Sequence, residues 1–203
     1  MELIMKNKKL PWYIYLTLVL IYISPILVFE FMGAFAGLCT LREYNAVLLN
    51  PASIIFFLIM LAGSVLSSRC LSKIINDFYS GKATQHATGK HMQILAKVNI
   101  ASPITSGVVQ GVILYMLLKS GKAEFAALEG NITFLPILFF SIATVFNFGL
   151  LFYVINIRLL EVVINDIPFK TDEITMNITE RNFLTVLFAL LGILGDVFEF
   201  IMI

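Results

Sequence analysis

Long apolar runs separated by short polar stretches set the pattern of this chain. Five runs are long enough to cross a bilayer: about Trp12 to Leu38, Ala52 to Ser68, Ile100 to Leu118, Ile132 to Ile155, and Phe183 to Ile203. Backbone groups in lipid must bond within their own segment, so these runs are expected to be helices. The alternation of barrel strands is absent. The polar stretches between them differ in length. Thr40–Pro51 and Ser120–Asn131 are short, whereas the connections after the second and fourth runs are near 30 and 25 residues.

Lys and Arg orient this pattern. With the N-terminus inside, Lys6, Lys8, Lys9, Arg69, Lys73, Lys82, Lys90, Lys97, Arg158, Lys170 and Arg181 are cytoplasmic. Only Arg42, Lys119 and Lys122 lie outside, an imbalance that predicts N-in. Trp12, Tyr13 and Tyr15 then fall where an inner aromatic belt belongs. The short outer connections leave no room for a large ligand-capturing domain. The first run is too long for a cleaved leader and no A-x-A-like site follows it, so it reads as a retained signal anchor. The apolar ending after Phe183 points to a chain cut near its fifth span, with a sixth span to follow. A genuine five-span protein is the alternative.

Composition fits the pattern. Of 203 residues 59% are hydrophobic and 13% charged, about half the charge of an average soluble domain, and mean hydropathy is +0.92. The net charge of +1, with no basic run beyond Lys8-Lys9, excludes nucleic acid as a partner. Cys39 and Cys70 fall at opposite ends of spans, so no disulfide is expected. No phosphate loop, dinucleotide fingerprint, nucleophile elbow or metalloprotease motif occurs. No enzyme and no cofactor is expected. His86 and His91 lack metal-ligand company and read as solvated.

One phrase occurs twice. "RCLSKIIND" (Arg69–Asp77) returns as "RLLEVVIND" (Arg158–Asp166), each just after an inward-going run. "AKVNI" and "TERNF" pair similarly ahead of the next run, with Asn99 matching Asn182. The pattern predicts a tandem helix-pair repeat in one transmembrane domain. In the first copy Leu71, Ile75 and Phe78 share one helical face, and Ser80-Gly81 is a stop signal. In the second copy Leu160, Ile164 and Ile167 repeat the face, and Pro168 ends it. Each inward helix is thus expected to continue past the bilayer for two to three turns. The inner connections are amphipathic, and "KATQHATGKHMQILAKVN" shows no second helix opening on an acidic residue.

The spacing of Leu71, Ile75, Phe78 and Gly81 resembles the first helix of a HAMP linker, as found in methyl-accepting chemotaxis proteins and sensor kinases. The resemblance covers about 15 residues. Lys82 stands where that family has an acidic residue, and the segment lies between spans instead of after the last one. The resemblance implies the multi-span sensory region of a bacterial inner-membrane signal transducer. Its expected partners are the lipid bilayer, a second copy of the chain, and a cytoplasmic output on the same chain. Transmission would run through Arg69, Leu71, Ile75, Asn76, Asp77 and Phe78, and through Arg158, Leu160, Ile164, Asn165 and Asp166.

Polar groups inside spans are the candidate ligand contacts. Glu30 lies five residues after a helix-breaking Pro25. Asp196 and Glu199 share a face of the fifth run. Gln110 and Asn147 can bond between helices. A small transporter or transport subunit, its path lined by Glu30, Gln110 and Asn147, is the alternative to a transducer. Gly33/Gly37 and Gly107/Gly111 have the small-xxx-small spacing of close helix pairs, with no partner assignable from sequence.

Overall fold

The computed structural model describes residues 11–35, 37–126, 134–141, 143–145 and 154–155, with 183, 186–187, 189–190 and 192–194 beyond them. All regular structure among the described residues is helical. Among the described residues three helices are long and apolar enough to cross a membrane: α1 (Trp12–Phe35), α3 (Pro51–Tyr79) and α4 (Gln85–Lys119). A short α2 (Leu41–Leu48) joins α1 to α3, and an apolar helix α5 (Phe134–Val145) follows α4. Helices α1, α3 and α4 pack on one another in all three pairings.

Two of these elements go beyond the sequence reading. The amphipathic stretch ahead of the third run is the start of α4. Thr84 caps it, its Oγ1 accepting from the Ala87 amide at 3.3 Å, and the helix then runs unbroken through Lys119. The reason is packing: Met92, Leu95 and Ala96 are buried against α1 and α3 at a spacing that a polar-rich window hides. The outer connection at Thr40 is likewise not an open loop. Thr40 and Glu43 form a reciprocal capping box that nucleates α2.

Helix ends explain the hairpin between α3 and α4. "SGKA" occurs at 80–83 and again at 120–123. Both times the glycine takes positive φ, 71° at Gly81 and 67° at Gly121. The following lysine amide then reaches back, Lys82 to the Asp77 carbonyl at 2.9 Å and Lys122 to that of Leu117 at 3.0 Å. An L side chain is disfavoured at such a φ, so glycine fixes both stops. The chain reverses within five residues, and α4 returns antiparallel along α3.

The apolar core divides along the bundle. At one end Ile14 and Leu18 of α1 pack with Leu71, Ile75, Met92, Leu95 and Ala96. Farther along, Ile21, Tyr22 and Ile26 meet Phe56 and Met60. At the other end Phe29, Tyr44, Val47, Leu117, Phe125 and Phe140 form the third cluster. The helices' outer faces are apolar and exposed, as at Ile55, Leu58, Ile59 and Leu66 of α3. A helix apolar on both its packed and its open faces suits lipid as solvent.

Candidate functional site: a buried polar level and a latch

The centre of the bundle holds a hydrogen-bonded cluster that ties three helices. Asn99 of α4 is 1% exposed, and its Oδ1 accepts from the Tyr22 hydroxyl of α1 at 3.0 Å and from Ser67 Oγ of α3 at 2.7 Å. In an apolar surround each of these donors needs a partner, and one carbonyl oxygen serves both. Neighbouring serines of α3 bond within their own helix, Ser68 to the Ser64 carbonyl at 2.8 Å and Ser72 to that of Ser68 at 3.0 Å. Ser67 instead reaches across.

Two prolines lie at this level. Pro25 follows Tyr22 by three residues and has no N–H for the Ile21 carbonyl; Ser24 Oγ approaches that oxygen at 3.5 Å. Pro103 follows Asn99 by four residues and has no N–H for the Asn99 carbonyl. The parallel helices α1 and α4 thus each lack one backbone bond beside the same cluster. Prolines of this kind are the usual place where a helix bends.

Toward the third core cluster, Gln110 is 2% exposed and donates from Nε2 to the Tyr44 hydroxyl at 3.2 Å. Its Oε1, with Ser53 Oγ and Ser106 Oγ, is buried and lacks a hydrogen-bond partner. The glycine pair beside it has a partner after all. A Cβ at Gly107 would overlap Val145, and one at Gly111 would overlap Ser141, so α4 and α5 meet at close range there. The other pair does not act this way. Gly37 has φ of 74° and closes the turn after α1, where the Leu38 amide bonds the Gly33 carbonyl at 3.0 Å.

Both short connections meet at this end. Glu43 Oε2 accepts from the Thr40 amide at 2.6 Å, and its Oε1 accepts from the Ala126 amide at 3.1 Å. The Tyr44 and Phe125 rings lie tilted to one another with centroids 6.4 Å apart. The carboxylate is a latch between α2 and the 121–126 segment. A shallow cleft of about 350 Å³ opens alongside, lined by Arg42, Glu43, Ala46, Lys122 and Glu124. The Thr40 and Ala126 amides hold the Glu43 carboxyl below its ordinary value of 4.5. Its bonds therefore contribute fully above that value and are lost as pH falls through the lower folded one. The protection of the Ala126 amide, its exchange relative to the intrinsic rate at the same pH, should fall at acid pH and in Glu43→Gln at neutral pH. Protection indifferent to both would refute the latch.

The residues expected to transmit a signal divide by burial. Leu71 and Ile75 are fully buried, 0% and 1% exposed, while Arg69 is exposed. Asn76, Asp77 and Phe78 form the last turn; the Ser80 amide bonds the Asn76 carbonyl, and the Phe78 ring meets Tyr79 edge-on. Gln110 is the one expected in-membrane contact whose side chain is described. The Glu30 side chain, Asn147, Asp196 and Glu199 lie outside the described residues. So do Arg158, Leu160, Ile164, Asn165 and Asp166. Tyr22 carries no signal beyond a polar ring within an apolar run, and Asn99, just ahead of the third run, only its match to Asn182. Among the described residues no group of His, Cys, Asp and Glu could hold a metal ion, and Cys39 and Cys70 are unbridged. Comparison with protein families, with curated proteins and with solved structures finds no match.

Proposed function

We propose that this chain is the membrane domain of a signal transducer of chemoreceptor-like plan, seated in a bacterial inner membrane with its N-terminus inside. Five spans and a tandem helix-pair repeat belong to this reading. The observation that carries it is the coincidence of the Tyr22–Asn99–Ser67 cluster with Pro25 and Pro103. It places a deformable level between two well-packed ends. One end is the Glu43 latch with its open cleft, and the other is the α3–α4 tip with Leu71 and Ile75 at its core. A stimulus that favours one arrangement at the cleft would shift the tip through that level, provided the two arrangements bind it unequally.

The test couples the two ends. Ala46→Cys and Lys122→Cys, joined by a short bifunctional thiol reagent in a Cys70→Ser background, would hold the cleft closed. A spin label at Asp77 should then change its mobility. An unchanged spectrum with the crosslink formed would overturn transduction. A transport reading draws on the unpartnered Gln110 Oε1, Ser53 and Ser106, which could line a polar path. Solute uptake by proteoliposomes of the full chain, abolished by Glu30→Gln, would replace the first reading with this one.

A further inference from the structure

The buried cluster marks the level at which the uncharged stretches of two helices end. From Pro51 to Ser68 on α3, and from 98 to 118 on α4, no Lys, Arg, Asp or Glu occurs. These stretches are about 27 and 31 Å long at 1.5 Å per residue, close to the roughly 30 Å of a hydrocarbon core. Both stop at the same level. Ser67 and Asn99 are bonded to one another there, and Arg69 and Lys97, two residues outward, are both exposed. The three-helix end holding Ile14, Leu18, Leu71, Ile75 and Met92 lies on the far side of this level from the uncharged stretches of α3 and α4.

The surface of that end carries one sign. Between residues 69 and 97 stand Arg69, Lys73, Lys82, Lys90 and Lys97, and one acidic residue, Asp77. All five cations are exposed, whereas Asp77 is half-buried in the last turn of α3. Arg69 and Lys73 share a face of α3, and Lys90 and Lys97 share a face of α4. Trp12 is 74% exposed at the start of α1, beside Tyr13 and Tyr15. Amphipathic rings favour the headgroup zone, and long cations beside them can reach phosphate while their stems stay in apolar surroundings. Among the described residues no carboxylate other than Asp77 belongs to this end of α3 and α4.

We propose that this end of the bundle is a docking surface for anionic phospholipid headgroups, gripped by the Arg69/Lys73 and Lys90/Lys97 pairs. This rests on the chain being embedded in a membrane and not on its transducing a signal. The full chain would be reconstituted in phosphatidylcholine vesicles, and its annular preference for spin-labelled phosphatidylglycerol over labelled phosphatidylcholine measured. A cation near the surface is worth about fivefold in such association, so a preference of about fivefold or more is expected. Arg69→Gln/Lys73→Gln/Lys90→Gln/Lys97→Gln should bring it to about one, while its helix content and thermal transition in phosphatidylcholine alone match wild type. Lys119→Gln/Lys122→Gln, at the opposite end, should keep the preference. A fourfold variant retaining it, or a wild type without it, overturns the proposal. So does competition by millimolar inorganic phosphate, which would make the site one for the free anion.

Discussion

Leu71→Ala should destabilise the bundle by about 2–5 kcal/mol in an unfolding equilibrium in mixed micelles, the range for emptying a well-packed leucine site. Leu71 is fully buried between α1 and α4, where Leu18, Leu95 and Ala96 surround it. Its side chain is enclosed on all sides, so truncation removes close contacts that the site cannot refill. Leu66→Ala is the control. It sits one helical turn and a half away on the same helix but is 60% exposed, and a change of under about 0.5 kcal/mol is expected there. Equal losses at the two sites would mean that the tip is not packed as described.

Asn99→Ala should cost about 1–3 kcal/mol, the penalty of an orphaned buried donor. Two donors lose their acceptor, but they fare differently. Ser67 can turn back to a carbonyl of its own helix, as Ser68 and Ser72 do. Tyr22 has no acceptor on its own helix, and its remaining neighbours are the hydroxyls of Ser67 and Ser102 on the other two helices. Interhelical bonds in membranes average only about 0.6 kcal/mol because lost partners are replaced, so the loss should concentrate on Tyr22. Tyr22→Phe added to Asn99→Ala should then be neutral or stabilising, whereas Tyr22→Phe alone destabilises. Additive losses in the pair would refute the assignment of Asn99 as the acceptor.

How far these features could be read in the chain depends on which force placed them. The membrane-length helices follow from apolar run length, which no packing detail alters. The extension of α3 past Ser68 was legible too, because Leu71, Ile75 and Phe78 are periodic and Ser80-Gly81 stops them. The start of α4 was hidden. His86, Lys90, Gln93 and Lys97 fill its outer face and swamp the spaced Met92, Leu95 and Ala96. The cap of α2 was written openly as Thr40-x-x-Glu43, a signature that a search for spans passes over. The second "SGKA" was equally available. Asn99 was legible only as a polar residue matched to Asn182; its two donors come from helices that sequence distance cannot bring together. Gly107 and Gly111 carried the right spacing, and only the fold supplies α5 as what they face.

Cys39 and Cys70 are alike in sequence terms and unlike in the fold. Cys39 is buried with its sulfur against Gly33, whereas Cys70 is exposed on α3 immediately after Arg69. Thiol alkylation proceeds through the thiolate, which forms only where water reaches. The native chain thus carries a built-in depth gauge. The ratio of Cys70 labelling by a charged, water-soluble maleimide to that by a lipid-soluble one reports which medium bathes the Arg69–Lys97 level, with no substitution made and Cys39 silent.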